Sequence, residues 1–313
     1  MELKRLKEKS QGSQTKFLTM PILQNIGLKN LSESEQKQIS SVLSTLDEKI
    51  ALNNQINATL EQMAKTLYDY WFVQFDFPDD NGKPYKSSGG EMVYNETLKR
   101  DIPKGWDVKK LADWIKTDKS GDWGQEEPKG NYQLEVTCIR GADINPIKNQ
   151  GIIEAPTRFI LEKNANKLLS DFDFVIEISG GSPTQSTGRI ASISPSTLCR
   201  FDKPLICSNF CKAISLKDNS YFYNFAFLWN QIYENDILFG WEGKTSGIKN
   251  LLFDNFVQSY YEPLPPVEIA DKFFQKMDVI NSQQQTLLKQ NAELTKLRDW
   301  LLPMLMNGQV TVQ

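Results

Sequence analysis

The chain has 313 residues, a formal net charge of −3 and 40% hydrophobic residues, enough for two or three structural units with real cores. It contains no histidine, which removes His-based triads, His general bases and His metal ligands in one step. Its four cysteines, Cys138, Cys199, Cys207 and Cys211, are irregularly spaced and form no CxxC pair, which favours reduced thiols over a zinc site.

No apolar run approaches the roughly 18 residues of a membrane span. The start, Met1 to Lys9, has no apolar core for a secretory signal. The expected location is the cytoplasm, with no membrane partner. Segment 100–262 holds 19 Lys/Arg against 21 Asp/Glu. Bulk charge therefore gives no support to nucleic-acid binding, and any such contact must come from a local basic face or a partner subunit.

In chain order, residues 1–31 carry Leu18, Met20, Ile22, Leu23, Ile26 and Leu28, which are expected to pack against the globular domain or the base of the helices. A helix is predicted over 32–74. It starts at Ser32 or Ser34, with Glu33 and Glu35 in its first turn. Its apolar residues Ile39, Leu43, Leu46, Ile50, Leu60, Ala64, Leu67 and Trp71 step alternately by four and three, as a coiled-coil seam requires. Asn53 and Asn57 fill the two gaps. At about 1.5 Å per residue such a helix is on the order of 50 Å long.

Residues 75–101 read as a linker with Pro78, Gly82, Pro84 and Gly89-Gly90. The globular segment spans 102–262. Strand-like runs are Leu134–Ile139, Phe174–Ser179, Pro204–Cys207 and Lys212–Leu216. A helix is predicted over Tyr221–Asn235, with Phe222, Phe225, Trp229, Ile232 and Tyr233 as core. A second long helix is predicted from Val267 to Met306 within 263–308. Pro265-Pro266 marks its start, and Pro303 and Gly308 its end. Its seam reads Phe273, Met277, Ile280, Gln284, Leu287, Asn291, Leu294, Arg298 and Leu301.

The two long helices repeat one another. Asn57-Ala58-x-Leu60 falls on Asn291-Ala292-x-Leu294 at an offset of 234, and each helix follows a short loop, Gly12–Lys16 or Gly243–Gly247. Leu46, Ile50, Asn57, Leu60, Ile280, Leu287, Asn291 and Leu294 are the candidate pairing residues. Asn57 and Asn291 occupy equivalent positions, either as buried amides that fix register or as amides at a wet edge. The fold class is α+β, a mixed α/β domain with two long helices pairing as an antiparallel coiled coil.

Two loops carry groups suited to hydrogen bonding. The first, Ser179 to Arg189, offers Ser182, Thr184, Gln185, Ser186, Thr187 and Arg189. Gln matches adenine, Arg matches guanine, and hydroxyls suit base or phosphate. No Gly-Lys-Ser/Thr follows, so it is not a P-loop. The second, Gly243 to Asn250, offers Lys244, Thr245 and Lys249 as a phosphate clamp. A flexible surface turn and a solvated loop remain the plain alternatives for the two. No methyltransferase, nuclease or nucleophile-elbow signature is present, so no catalytic residue is assigned and the chain is not expected to be an enzyme.

Several stretches resemble the specificity (S) subunits of type I restriction–modification systems. They are Leu43 to Ile50 with Asn53 to Ala64, Trp71 to Phe77, Ile102-Pro103-Lys104-Gly105-Trp106 through Leu111, and Leu264 to Glu268. The resemblance implies a DNA-reading, non-catalytic subunit. Recognition domains each read half of a split double-stranded DNA target. Helices space them and dock methyltransferase (M) subunits, which bind the S-adenosylmethionine, and a restriction (R) subunit can join. It implies no cofactor in this chain. Only one complete recognition domain is recognised, 102–262, with 1–31 resembling the remnant of another. A half-sized subunit acting as a homodimer on an inverted repeat is expected. The competing expectation is a coiled-coil scaffold or regulator that competes for M subunits.

Overall fold

The computed structural model describes residues 19–24, 31–180, 184–245 and 248–312. Expectations for Gly12–Lys16, Leu18, Ile26, Leu28 and Ser182, and for the side chains of Ile22, Leu23, Lys244 and Thr245, lie outside the described residues. In chain order the helices are α1 (Met20–Gln24), α2 (Glu33–Tyr68), α3 (Leu111–Trp114), α4 (Ile144–Asn149), α5 (Pro195–Leu198), α6 (Phe222–Glu234), α7 (Phe253–Ser259) and α8 (Val267–Met306). The strands are β1 (Met92–Asn95), β2 (Arg100–Pro103), β3 (Asp107–Lys110), β4 (Ile115–Ser120), β5 (Tyr132–Ile139), β6 (Thr157–Leu161) and β7 (Asp173–Glu177). They continue with β8 (Ser179–Gly180), β9 (Ile190–Ile193), β10 (Leu205–Cys207), β11 (Cys211–Leu216), β12 (Glu242–Thr245), β13 (Ile248–Leu251) and β14 (Tyr261–Leu264). The chain divides into two compact units, residues 1–53 with 291–313 and residues 54–290.

In the first unit, Met20 is exposed, so it does not pack as its apolar character suggested. Ser32 caps α2. Its Oγ accepts the Glu35 N–H at 3.3 Å, while the Glu35 carboxylate accepts the Ser32 N–H at 2.8 Å. α2 and α8 run antiparallel. Asp47 faces Arg298 at 2.9 Å, and the buried Asn53 amide donates to the Asn291 carboxamide oxygen at 2.9 Å. Leu46, Ile50 and Leu294 line this seam half-buried. Positions 57 and 291, equivalent in the repeat, are thus not the pair that meets; the antiparallel register gives Asn291 to Asn53. Pro303 does not end α8 but sits inside its last turn. Gly308, at φ +68°, ends it, with the Gln309 N–H returning to the Met304 carbonyl at 2.9 Å.

In the second unit, a four-stranded antiparallel sheet, β4-β11-β7-β9, separates two apolar layers. Strand alternation explains the division. Phe174, Ile176, Ile214 and Ile190 point to one side with Phe222, Phe225 and Trp229 of α6. Val175, Ala213, Ala191 and Ile193 point to the other, with Ile139, Ile144 and Ile147. β7 is buried along its whole length because both faces are covered. The sheet β10-β5-β6 adds a third layer through Val136, Cys138, Ile160 and Ile206. Burial pushes the Cys138 and Cys211 thiols up to about 12, which keeps them protonated and inert.

α2 ends in a π-helical turn over Asp69–Val73. The extra residue per turn lets adjacent Trp71 and Phe72 both face inward. They meet Phe273 of α8, fully buried, with ring centroids at 5.7 and 4.8 Å. Leu60, Ile280 and Leu287 line the helix pair half-buried, and Gln284 donates to the Asn57 carbonyl at 3.3 Å. The Asn57 carboxamide is buried with no hydrogen-bond partner among the described residues. The predicted linker 75–101 is instead a packed element. Phe75 and Phe77 are buried against Trp106, each at 5.3 Å, and β1 and β2 form a hairpin. Its glycines and prolines marked turns, but its aromatics needed a core.

Two outcomes follow for stability. Phe273→Ala should cost about 3–5 kcal/mol in denaturant unfolding, by loss of burial and the cavity left behind. Glu262 is pushed up to about 7 by burial, opposed by Arg100 at 3.3 Å and by the Tyr260 hydroxyl. The folded state therefore holds this proton more tightly than the unfolded chain. Stability should fall as pH rises from about 4.5 to 7, and Glu262→Gln should remove on the order of 1–3 kcal/mol of that fall, read from melting curves across pH.

Candidate nucleic-acid interface

The two segments singled out for hydrogen bonding are neighbours. β12 and β13 form an antiparallel hairpin over most of the stretch read as a loop, with Lys244 opposite Lys249. β13 then pairs with β8, the start of the other segment, through Lys249 opposite Gly180 and Asn250 opposite Ser179. One small sheet, β12-β13-β8, thus joins residues about 60 positions apart into a single rim.

A buried carboxylate ties this rim together. Glu242 Oε1 accepts the Thr187 N–H at 2.7 Å and the Thr187 hydroxyl at 3.2 Å, while Oε2 faces Lys249 Nζ at 3.1 Å. Lys249 also donates to the Gln185 carbonyl at 3.3 Å and lies 4.7 Å from the Phe239 ring centroid. The end of the loop is pinned at Gly188, whose carbonyl accepts the Trp229 indole N–H at 2.7 Å. Gly188 has φ +106°, and a Cβ there would lie 2.2 Å from Leu238.

The candidates therefore divide. Thr184 and Gln185 are exposed on the outer side. Ser186 and Thr187 are buried and frame the loop from inside, so their hydroxyls do not face outward. Arg189 is held by Glu177 in a two-point contact at 2.7 and 2.9 Å, with both groups largely buried, which also holds the guanidinium charged. Lys249 is mostly covered, its charge offset by Glu242. Sequence reasoning looked for cations and hydroxyls and missed Glu177 and Glu242. The signal available was their count: a near-neutral segment with 19 cations has acids to pair with them.

A separate cleft of about 410 Å³ opens between α2, α6 and α8. Lys148 reaches into it and donates to Asn230 at 2.8 Å. Its ammonium is open to the cleft, yet protein surrounds it on most sides, and that burial lowers it to about 8. Lys65 and Glu234 pair at its rim at 2.7 Å. Among the described residues no cluster could hold a metal ion, and no helix is long and apolar enough to cross a membrane.

Residues 1–62 match the family model described as type I restriction modification DNA specificity domain. The chain is 26% identical over 318 positions to the type I restriction enzyme MjaIX specificity subunit of Methanocaldococcus jannaschii, covering 98% of this chain and 66% of that relative. A 59-residue stretch is 41% identical to the type I restriction enzyme HindI specificity subunit of Haemophilus influenzae, covering 19% of this chain and 13% of that one. The crystal structure of a type I restriction–modification S subunit from M. genitalium shares the fold, with a TM-score of 0.53 at 16% identity over 97% of this chain and 70% of that one. The chain is thus similar in sequence to type I restriction–modification specificity subunits and shares the fold of a solved one. It spans about two thirds of the length of the M. jannaschii relative.

The rim's frame can be tested without any ligand. Arg189→Met strands the buried Glu177 carboxylate and should cost about 3–5 kcal/mol in urea unfolding. Gln185→Ala, at an exposed position, should change stability by less than about 0.5 kcal/mol.

Proposed function

We propose that this chain is the DNA-reading subunit of a type I restriction–modification methyltransferase, non-catalytic itself, with one recognition domain reading one half-site. The observation that carries this reading is the β12-β13-β8 sheet. Its backbone register sets Lys244 opposite Lys249 and joins that hairpin to β8, which opens the loop carrying Thr184 and Gln185. Gln185 is the direct base reader, suited to adenine, and Lys249 with Lys244 supplies phosphate contacts. Ser186, Thr187 and Arg189 hold that surface in shape from behind.

Lys249 is neutralised by Glu242, so the free chain binds DNA weakly. The M subunits add phosphate contacts and bind the S-adenosylmethionine. They dock on the paired helices α2 and α8, and an R subunit can join the complex. On the first unit Leu297, Trp300, Leu302 and Met306 are exposed, an apolar supply that suits a helical partner. Two copies joined through these helices read identical half-sites in inverted orientation.

Co-expression with its M subunit, followed by sequencing of host DNA for N6-methyladenine, tests this reading. A split palindromic motif is the expected result, with two S copies by light scattering. A split asymmetric motif would replace the homodimer by pairing with a second S chain. No motif would sink the DNA-reading function and favour a scaffold that competes for M subunits. Gln185→Ala should relax the motif at one base pair, at a cost of about 1–3 kcal/mol.

A further inference from the structure

A turn not included in the rim above sits directly beside it. Residues 208–210 connect β10 to β11. The Cys211 N–H closes the turn on the Ser208 carbonyl at 2.9 Å, and the Ser208 N–H is anchored to the Ile139 carbonyl at 2.8 Å. Gly121 braces it from behind, since a Cβ there would lie 1.9 Å from the Ser208 carbonyl oxygen. The adjacent Asp122 N–H bonds the Cys207 carbonyl at 2.9 Å. The Phe210 carbonyl then accepts two N–H groups at the mouth of the reading loop, Ile178 at 2.9 Å and Ser179 at 3.1 Å. Ser179 pairs with Asn250 of β13, so the turn, β8, β13 and β12 follow one another across one surface.

The tip of this braced turn is Asn209-Phe210, both exposed, with the phenylalanine 54% accessible. An aromatic ring left in water adds little to folding. Its backbone is fixed by five hydrogen bonds around residues 207–211 and its neighbour is a carboxamide. In the major groove, a carboxamide bonds adenine N6 and N7, and an apolar side chain covers the C5 methyl of thymine. Both features lie on the same edge of a single A·T pair.

We propose that the Asn209-Phe210 tip is a further base-reading element that selects one A·T pair of the half-site, Asn209 taking the adenine and Phe210 the thymine methyl. This rests on the rim being the DNA-facing surface. It adds a reader that, unlike Gln185 and Lys249, senses a methyl group. The turn's rigidity matters here, since a reader that must first be ordered loses affinity to that ordering.

The test uses the complex with its M subunit and duplexes carrying the methylated motif. Each thymine is replaced in turn by deoxyuridine, which removes only the methyl, and each adenine by 7-deazaadenine, which removes only N7. The wild-type complex should lose about 3- to 5-fold in affinity for one deoxyuridine duplex, the worth of one methyl group. Phe210→Ala should abolish that sensitivity, and Phe210→Leu should retain much of it. Asn209→Ala should abolish the sensitivity to 7-deazaadenine at the same pair. The proposal is overturned if no thymine methyl of the half-site matters, or if both sensitivities survive in the variants. It is overturned as well if Phe210→Ala prevents assembly with M, which would make the tip a protein contact. Gln185→Ala separates the two levels. If it alters target preference while the tip variants do not, only this inference falls. If none of the three alters it, the DNA-facing rim falls too.

Discussion

The packing of Phe273 is the contact on which the second unit depends. Its ring is within 6.2 Å of the Tyr68, Trp71, Phe72 and Phe227 centroids, which come from the end of α2, the π-helical turn and α6. A single fully buried side chain of α8 thereby gathers the end of one long helix and a core helix of the globular domain. Trp106 extends this cluster to Phe75 and Phe77. Aromatic rings suit this role because each buries a large area and prefers offset or edge-on contacts, which restrict how the elements can meet. The geometry of any reading surface relative to the adjoining helix ends in this unit rests on that restriction.

The proposed reading surface is built on acids. Glu242 and Glu177 are both nearly buried, and each holds a cation and fixes a loop. Such carboxylates look out of place on a surface meant for a polyanion. Their position resolves the difficulty: they lie behind the rim, where they orient backbone and cations, while Gln185 and the Asn209-Phe210 tip project in front. The near-neutral balance of the domain follows from this arrangement. On the proposed reading, base contacts rely on uncharged groups, and most of the phosphate attraction comes from other surfaces of the assembly.

The helix pair carries a polar device of its own. Asn53 and Asn291 meet in the buried seam, and only one antiparallel register lets them bond. Arg298 with Asp47 and Gln284 with the Asn57 carbonyl mark the same register further along, each within its own unit. Leu288, Gln285 and Leu305 are also buried on α8, beyond the seam read from the sequence. A straight helix drifts from a strict seven-residue repeat, so the covered face is wider than the seam.

The sequence by itself determined the long helices. Apolar residues stepping by three and four, a Ser/Glu cap and the Pro265-Pro266 start are local signals, and they set α2 and α8. It likewise determined β5, β7, β10, β11 and α6, whose apolar runs are too long to be left in water. Tertiary structure alone decided three things. It paired Asn291 with Asn53 in place of Asn57, because antiparallel packing inverts the order that an internal repeat suggests. It buried Thr187 and half-buried Arg189, because their partners Glu242 and Glu177 come from other strands. It set the turn at Asn209-Phe210 beside β8, because the contact runs through the backbone carbonyl of Phe210, and carbonyls carry no sequence signal.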